Sequence, residues 1–269
     1  ENIEWLQALA KFTTDTKVLI GFVDFNKSKL GKNYYNCVAV LANGKVERIV
    51  RKTLLPNYAE FNDYRHFESA PVDSENRITS IGGKKAGIIV CEDGWNDFDF
   101  FDKNMYTVDP VETVVKEQKP DFLINCSSSI TRAKKEQLKH NMLSFAAKKY
   151  HTPIVYVNQV GSGECLSFEG ASRVYDEGGD LVAMAKSYQE QFFKEKESEF
   201  RELKNSYQLP EFTIYTAYYY ETASLIDYKF NSKNKDLYSF LKTYDDTYQL
   251  ENFYKKNSFF YDIYYPYHL

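Results

Sequence analysis

Apolar and polar positions along this 269-residue chain follow two different periods, and the changes of period mark out the predicted elements. Residues 1–12 (ENIEWLQALAKF) repeat at helical spacing, with Ile3, Leu6, Leu9 and Ala10 on one face, and predict an amphipathic helix. Short β-branched runs follow. Residues 18–23 predict a strand, and residues 35–41 and 45–50 flank Ala42-Asn43-Gly44. An Asn-Gly pair between two such runs predicts a hairpin, because both residues tolerate the left-handed backbone that a two-residue turn requires. Further strands are expected at residues 86–91, 121–126 and 153–157. One intervening helix opens at Asp109 as N-cap, with Pro110 in its first turn. Another runs from about Arg132 to Tyr150, with Leu138, Met142, Phe145 and Ala146 at helical spacing. Residues 172–175 and 181–184 straddle Glu177-Gly178-Gly179-Asp180 as a second hairpin. Hairpins alternating with strand-helix-strand units predict an α/β architecture in which one or more sheets are faced by helices.

The most informative stretch is residues 88–94, Ile-Ile-Val-Cys-Glu-Asp-Gly. An apolar run that stops abruptly at two acids reads as a buried strand whose last residues emerge into a site, with Cys91 at the strand's C-terminal lip. Other polar groups fall at the ends of neighbouring strands: Lys52, the serines after Asn125, and Asn158 with the Gly161-Ser162-Gly163 loop. Strand ends of an α/β sheet share one rim, so these positions can converge although distant in sequence. A cysteine acts as a nucleophile only as thiolate, and an ammonium such as Lys52 together with a carboxylate supplies that chemistry. Each residue also has a plainer reading. A thiol at a strand end packs as a small hydrophobe, a strand-terminal lysine is an edge charge, and a serine run caps a helix. The loop at residues 55–67 mixes polar, aromatic and turn residues without a period, as site-building loops do.

Composition narrows the classes. A formal net charge of −4 gives no basic bias, so neither nucleic acid nor an anionic membrane is an expected partner. No apolar stretch approaches a membrane span, and the first residues do not read as a signal peptide, so the expected location is the cytoplasm. Cys37, Cys91, Cys126 and Cys165 lie far apart, without a CxxC pair, and the four histidines (His66, His140, His151, His268) do not pair. No metal site is expected. From about Lys194 the composition shifts to a Lys/Glu run and then a Tyr- and Asn-rich stretch, placing a domain boundary near residues 189–203.

Four ordered motifs carry a family resemblance: Lys52-Thr-Leu-Leu-Pro-Asn-Tyr58, Cys91-Glu-Asp-Gly-Trp95, Asn125-x-Ser-x-Ser129, and Asn158-Gln-Val-Gly161 followed by Phe168-Glu-Gly170. In order and spacing they resemble the nitrilase-type glutaminase domain of glutamine-dependent NAD synthetases. The resemblance runs from the first helix to about Met184. It implies an α-β-β-α sandwich of the nitrilase type, a glutaminase domain at residues 1–190, and a linker or insertion at residues 191–269. It further implies that Cys91 attacks the glutamine amide, that Lys52 stabilises thiolate and oxyanion, and that Tyr58, Glu92, Ser129 and Lys135 hold the amino-acid head group. Ammonia so released would serve ATP-dependent amidation of deamido-NAD to NAD. The domain itself would need no cofactor, with ATP and magnesium belonging to a synthetase domain of the same parent chain. A homo-oligomer is implied by the same resemblance.

The chain departs from the family in several places. The family's general-base glutamate, in a Pro-Glu-Leu motif ahead of the opening helix, is absent, so the sandwich is expected to be incomplete at its N-terminus and this stretch weakly active or inactive alone. The synthetase motif Ser-Gly-Gly-x-Asp-Ser is also absent. The family's supporting Phe-Asp-Glu becomes Phe61-Asn-Asp63, so Asp63 has to reach further to take that part. A lid-like loop is altered to Gly161-Ser-Gly-Glu-Cys-Leu166. Two other readings stay open: a free-standing carbon–nitrogen hydrolase acting on another small amide, and a scaffold without catalysis.

Overall fold

The computed structural model describes residues 2–14, 16–132, 135–163 and 166–189, with the backbone of two short strands further along. The opening helix α1 (Asn2–Ala10) buries Leu6, Leu9 and Ala10. Strands β1 (Val18–Phe25), β2 (Tyr34–Ala42) and β3 (Lys45–Arg51) form an antiparallel three-stranded sheet, and Asn43-Gly44 makes the expected turn, both residues having positive φ. A single turn α2 (Asp63–His66) lies within the loop at residues 55–67. A second sheet holds β4 (Ile78–Ile81), β5 (Lys84–Val90), β6 (Phe122–Ser127), β7 (Ile154–Asn158), β10 (Arg173–Tyr175) and β11 (Leu181–Met184). Its order is β11-β10-β7-β6-β5-β4, with β5-β6 and β6-β7 parallel and the other pairs antiparallel. The two parallel crossovers run through α3 (Pro110–Gln118) and α4 (Lys135–Tyr150).

Side-chain alternation fixes the layers. Ile88 and Val90 of β5 join Ile124, Val155 and Val174 against Leu19, Val38, Val40 and Val50 of the smaller sheet. Ile89, one residue out of step, turns to the opposite face and packs with Val111 and Val114 of α3 and Met142 and Leu143 of α4. Because side chains in a strand alternate with period two, one run of sequence feeds two cores. With α1 against β1 and β3, the layers are helix, sheet, sheet, helix.

Four expectations are corrected. Strand β5 ends at Val90, and Cys91 instead begins a 3-10 turn, Cys91–Gly94. The Gly161-Ser162-Gly163 segment is not a loop but strand β8 (Val160–Gly163), paired with β9 (Leu166–Glu169). In α4 the buried face is Lys139, Met142, Leu143, Ala146 and Ala147, while Leu138 is exposed. The helix is turned so that the Lys139 ammonium meets Glu136 at 2.6 Å and Glu169 at 2.7 Å, and this buried ion cluster overrides the apolar spacing. The serine run does not cap α4, because Ser127 closes β6 and the helix begins at Lys135. The boundary expected near residues 189–203 and most of the Tyr-rich stretch fall outside the described residues; within that stretch β12 (Thr213–Thr216) pairs antiparallel with β13 (Ser224–Asp227). Among the described residues no helix is long and apolar enough to cross a membrane, and no three His, Cys, Asp or Glu side chains are grouped to hold a metal ion.

Helix α3 carries a pH-dependent feature. Asp109 accepts the Glu112 N–H at 3.0 Å as N-cap, yet burial pushes its carboxyl up to about 6. The native state therefore keeps a proton between about pH 4 and pH 6, where the unfolded chain has lost it, and stability falls as pH rises through that window. Asp109→Asn preserves the cap, since asparagine caps as well as aspartate. Urea melts of this variant are expected to lose that pH dependence and to gain about 2 kcal/mol above pH 7.

Candidate active site

The site lies where the C-terminal ends of β5, β6 and β7 meet the segment leaving β3. Cys91 follows β5 directly and has φ +46°, a left-handed conformation in which an L side chain crowds the following carbonyl. Strain of this kind, on the order of 1–3 kcal/mol, persists only where the surroundings enforce it. Here Trp95 N–H closes the turn onto the Glu92 carbonyl at 2.8 Å, and Asn125 Nδ2 donates to the Cys91 carbonyl at 3.4 Å. Gly94 admits that asparagine: a Cβ at this position would lie 2.6 Å from Asn125 Nδ2. The thiol is partly exposed, whereas Cys37 and Cys126 are buried.

Lys52 comes from the other sheet, one residue past β3. Its side chain is only 3% exposed, and its ammonium meets Asp63 Oδ2 at 2.6 Å. Asp63 thus does reach the lysine, because the α2 turn carries it back over the site. Burial alone would lower the Lys52 pKa, but the charges of Asp63, then Cys91, then Glu92 outweigh it and hold the ammonium above the ordinary lysine range. Lys52 therefore stays a fixed cation, near enough to Cys91 for the two to be coupled electrostatically.

Glu92 is 4% exposed and accepts two phenolic hydrogen bonds, from Tyr58 and from Tyr106, each at 3.0 Å. Burial pushes its carboxyl up, while Lys52, the two hydroxyls and Lys135 pull it back. Burial and the Glu92 charge raise both tyrosines, so they remain neutral donors. Lys135, the first residue of α4, sets its ammonium 5.1 Å from the Phe61 ring centre and 5.3 Å from that of Trp95. Burial lowers its pKa, and Cys91 and Glu92 oppose the shift. Ser129 is buried after β6, with its N–H donating to Asn158 Oδ1 at 2.8 Å. The Ser129 hydroxyl and the Tyr156 hydroxyl are buried without a hydrogen-bond partner among the described residues.

Lys52, Asp63, Cys91, Glu92 and Tyr58 are thus brought together, with Lys135 at the aromatic side. Sequence reasoning missed two contributors, Tyr106 and Arg77, and gave Asp93, which it placed at the strand end, no part of its own. Tyr106 sits 15 residues past Cys91 in a stretch without a period, a loop held in part by Asn96, whose side chain donates to the Tyr106 and Val108 carbonyls at 2.9 and 2.8 Å. Asp93 and Arg77 form an ion pair at 2.8 Å, buried to 0% and 1%. Strand β4, which follows Arg77, had a legible signal in the Gly82-Gly83 pair between Ile78-Thr-Ser-Ile81 and the strand that leads to Cys91.

The carbon-nitrogen hydrolase family matches residues 1–193. A glutamine-dependent NAD(+) synthetase of Thermotoga maritima is 31% identical over 193 residues, covering 71% of this chain and 30% of the relative. The structure of glutamine-dependent NAD+ synthetase from Acinetobacter baumannii in complex with ADP is similar with a TM-score of 0.60 and 29% identity, over 70% of this chain and 32% of that one. A carbon-nitrogen hydrolase from Helicobacter pylori has the same fold, with a TM-score of 0.55 at 19% identity, covering 69% of this chain and 63% of its own. The chain spans about a third of the length of the curated relatives it matches, 34% and 30% for the first two.

Proposed function

The chain belongs to the carbon-nitrogen hydrolase family, and from that premise we propose that residues 1–190 hydrolyse the side-chain amide of glutamine through Cys91. The released ammonia serves ATP-dependent amidation of deamido-NAD to NAD by a synthetase domain of the same parent chain, in a cytoplasmic homo-oligomer. Residues 191–269 act as a linker or insertion. The observation that carries this reading is a buried ammonium, Lys52, anchored by Asp63 and electrostatically coupled to Cys91, a strained and partly exposed residue.

The chemistry follows from that pairing. The Cys91 sulfur attacks the amide carbon as its proton passes to a carboxylate. The carbonyl oxygen takes up negative charge beside the Lys52 ammonium, a fixed charge that needs no reorganisation as the oxyanion forms. The carbon–nitrogen bond breaks as the nitrogen takes that proton, leaving a thioester and ammonia. Water then adds to the thioester, glutamate departs, and the thiol is restored. In the resembling family the proton acceptor is the Pro-Glu-Leu glutamate, a motif these 269 residues do not contain. Turnover by this chain alone is accordingly expected to be about 10²- to 10⁴-fold below that of a site with its base. In this reading Glu92 takes the substrate's α-ammonium and Lys135 and Ser129 its carboxylate, as the family resemblance implies; the two phenolic hydrogen bonds that hold Glu92 in place support the first assignment.

Calorimetric titration of the Cys91→Ala variant tests the substrate without turnover. L-Glutamine is expected to bind, and butyramide, which lacks the head group, to bind far more weakly. Adding Glu92→Gln is expected to weaken glutamine by about 10- to 100-fold, the scale of a hydrogen bond to a charge. Equal binding of glutamine and butyramide would favour a hydrolase of simple amides instead.

A further inference from the structure

We infer that Arg77 and Asp93 are positioning residues that set the Lys52 ammonium against the Cys91 thiol, a role that rests on the glutamine-hydrolysing reading. The two reactive side chains arrive from different sheets, so nothing in either sheet's ladder fixes the gap between them. The buried pair spans that gap. Asp93 Oδ1 accepts the N–H groups of Thr53 at 3.0 Å and Leu54 at 2.7 Å, the two residues after Lys52. Its other oxygen accepts from Arg77 Nη2 at 2.8 Å. The same Arg77 nitrogen donates to the carbonyl of Arg51, the residue before Lys52, at 3.0 Å and to Thr53 Oγ1 at 2.9 Å. Arg77 Nη1 donates to the carbonyl of Ile88, three residues before Cys91, at 3.4 Å.

Residues 51, 53 and 54 on one side and 88 and 93 on the other are therefore held by one ion pair. It touches the chain on both flanks of Lys52 and of Cys91, and in these contacts touches neither reactive side chain. An ion pair buried this deeply is weak evidence for net stability, because desolvation offsets the attraction. Its geometric effect is stronger: apart from their bond to each other, the Asp93 contacts fall on backbone N–H groups outside the strands and the Arg77 contacts on carbonyls or a hydroxyl beside the site. A displacement of about 1 Å between nucleophile and stabilising charge is enough to cost about 100-fold in rate.

The test is the inactivation of the full chain by an electrophilic glutamine analogue, separating the saturating rate from the half-saturating concentration. Asp93→Ala is expected to lower the saturating rate about 10- to 100-fold while the half-saturating concentration stays near that of the wild type. Asp93→Asn still accepts both amides but sets its NH2 against Arg77 Nη2, so it is expected to recover the rate only in part. A cooperatively melting Asp93→Ala protein with an unchanged saturating rate would overturn the inference, as would a loss confined to the half-saturating concentration. If Asp93→Ala does not fold, Arg77→Lys takes its place, since one ammonium cannot bridge Arg51, Thr53 and Ile88 together. The same split is then expected, and a wild-type rate overturns the inference. Iodoacetamide run in parallel requires no glutamine pocket. Wild-type protein that reacts with iodoacetamide at Cys91 but shows no saturation by the analogue contradicts the glutamine reading, and the iodoacetamide rates of the variants then decide the positioning role alone.

Discussion

Cys91→Ala is expected to lower glutamine-dependent ammonia release by about 10⁴-fold or more, the scale seen when a nucleophile is removed, while the fold survives. The thiol is partly exposed and its sulfur is not needed for the turn, which is closed through backbone atoms and Asn125. The comparison with Cys91→Gly carries further information. At φ +46° an alanine retains the Cβ that makes this conformation costly, whereas glycine adopts it freely. The glycine variant is therefore expected to be as inactive as the alanine one but about 1 kcal/mol more stable. Urea melts of the pair measure this directly, and equal stabilities would mean that the turn does not strain residue 91.

Lys52→Met carries the second large effect. Methionine approximates the length of the lysine stem, so the cavity stays filled, but the fixed charge beside the developing oxyanion is gone. Ammonia release is expected to fall about 10²- to 10³-fold, as for a lost oxyanion partner. Stability is expected to drop less than for a fully buried pair, by about 1 to 2 kcal/mol, because Asp63, with its side chain 22% exposed, can turn to water once the lysine is gone. Steady-state assays and melts on the same preparation separate the two. A rate within experimental error of the wild type would remove Lys52 from the chemistry.

Much of the fold was legible because its signals are local. The Asn43-Gly44 turn, the Asp109-Pro110 helix start and the β-branched runs of β1, β5, β6 and β7 each depend on a few neighbouring residues. Errors arose where distant partners decide. Leu138 has the spacing of a core residue, but Lys139 faces inward because Glu169, thirty residues on, receives its charge. Cys91 looked like the last residue of a strand because nothing in Val-Cys-Glu announces a left-handed residue; the turn is imposed by Gly94 packing under Asn125. The acids after Cys91 were expected to emerge from the strand, yet both are buried, since Tyr58, Tyr106, Arg77 and the amides of residues 53 and 54 enclose them. Cys91 and Lys52 were legible from their places at strand ends, whereas the substrate-holding parts of Glu92 and Tyr58 were legible only through motif order. Tyr106 and Arg77 carry no local sign, because each reaches the site from an aperiodic loop or a strand start whose placement depends on the whole sandwich.

Mass-spectrometric mapping after exposure to an electrophilic glutamine analogue, with and without excess glutamine, is the most direct measurement. Buried Cys37 and Cys126 serve as internal controls. A single adduct on Cys91, suppressed by glutamine, is the expected result: it requires a reactive thiol inside a pocket that accepts the glutamine head group. Adducts spread over several cysteines, or an adduct on Cys91 that glutamine does not reduce, would contradict the assignment of this site to glutamine.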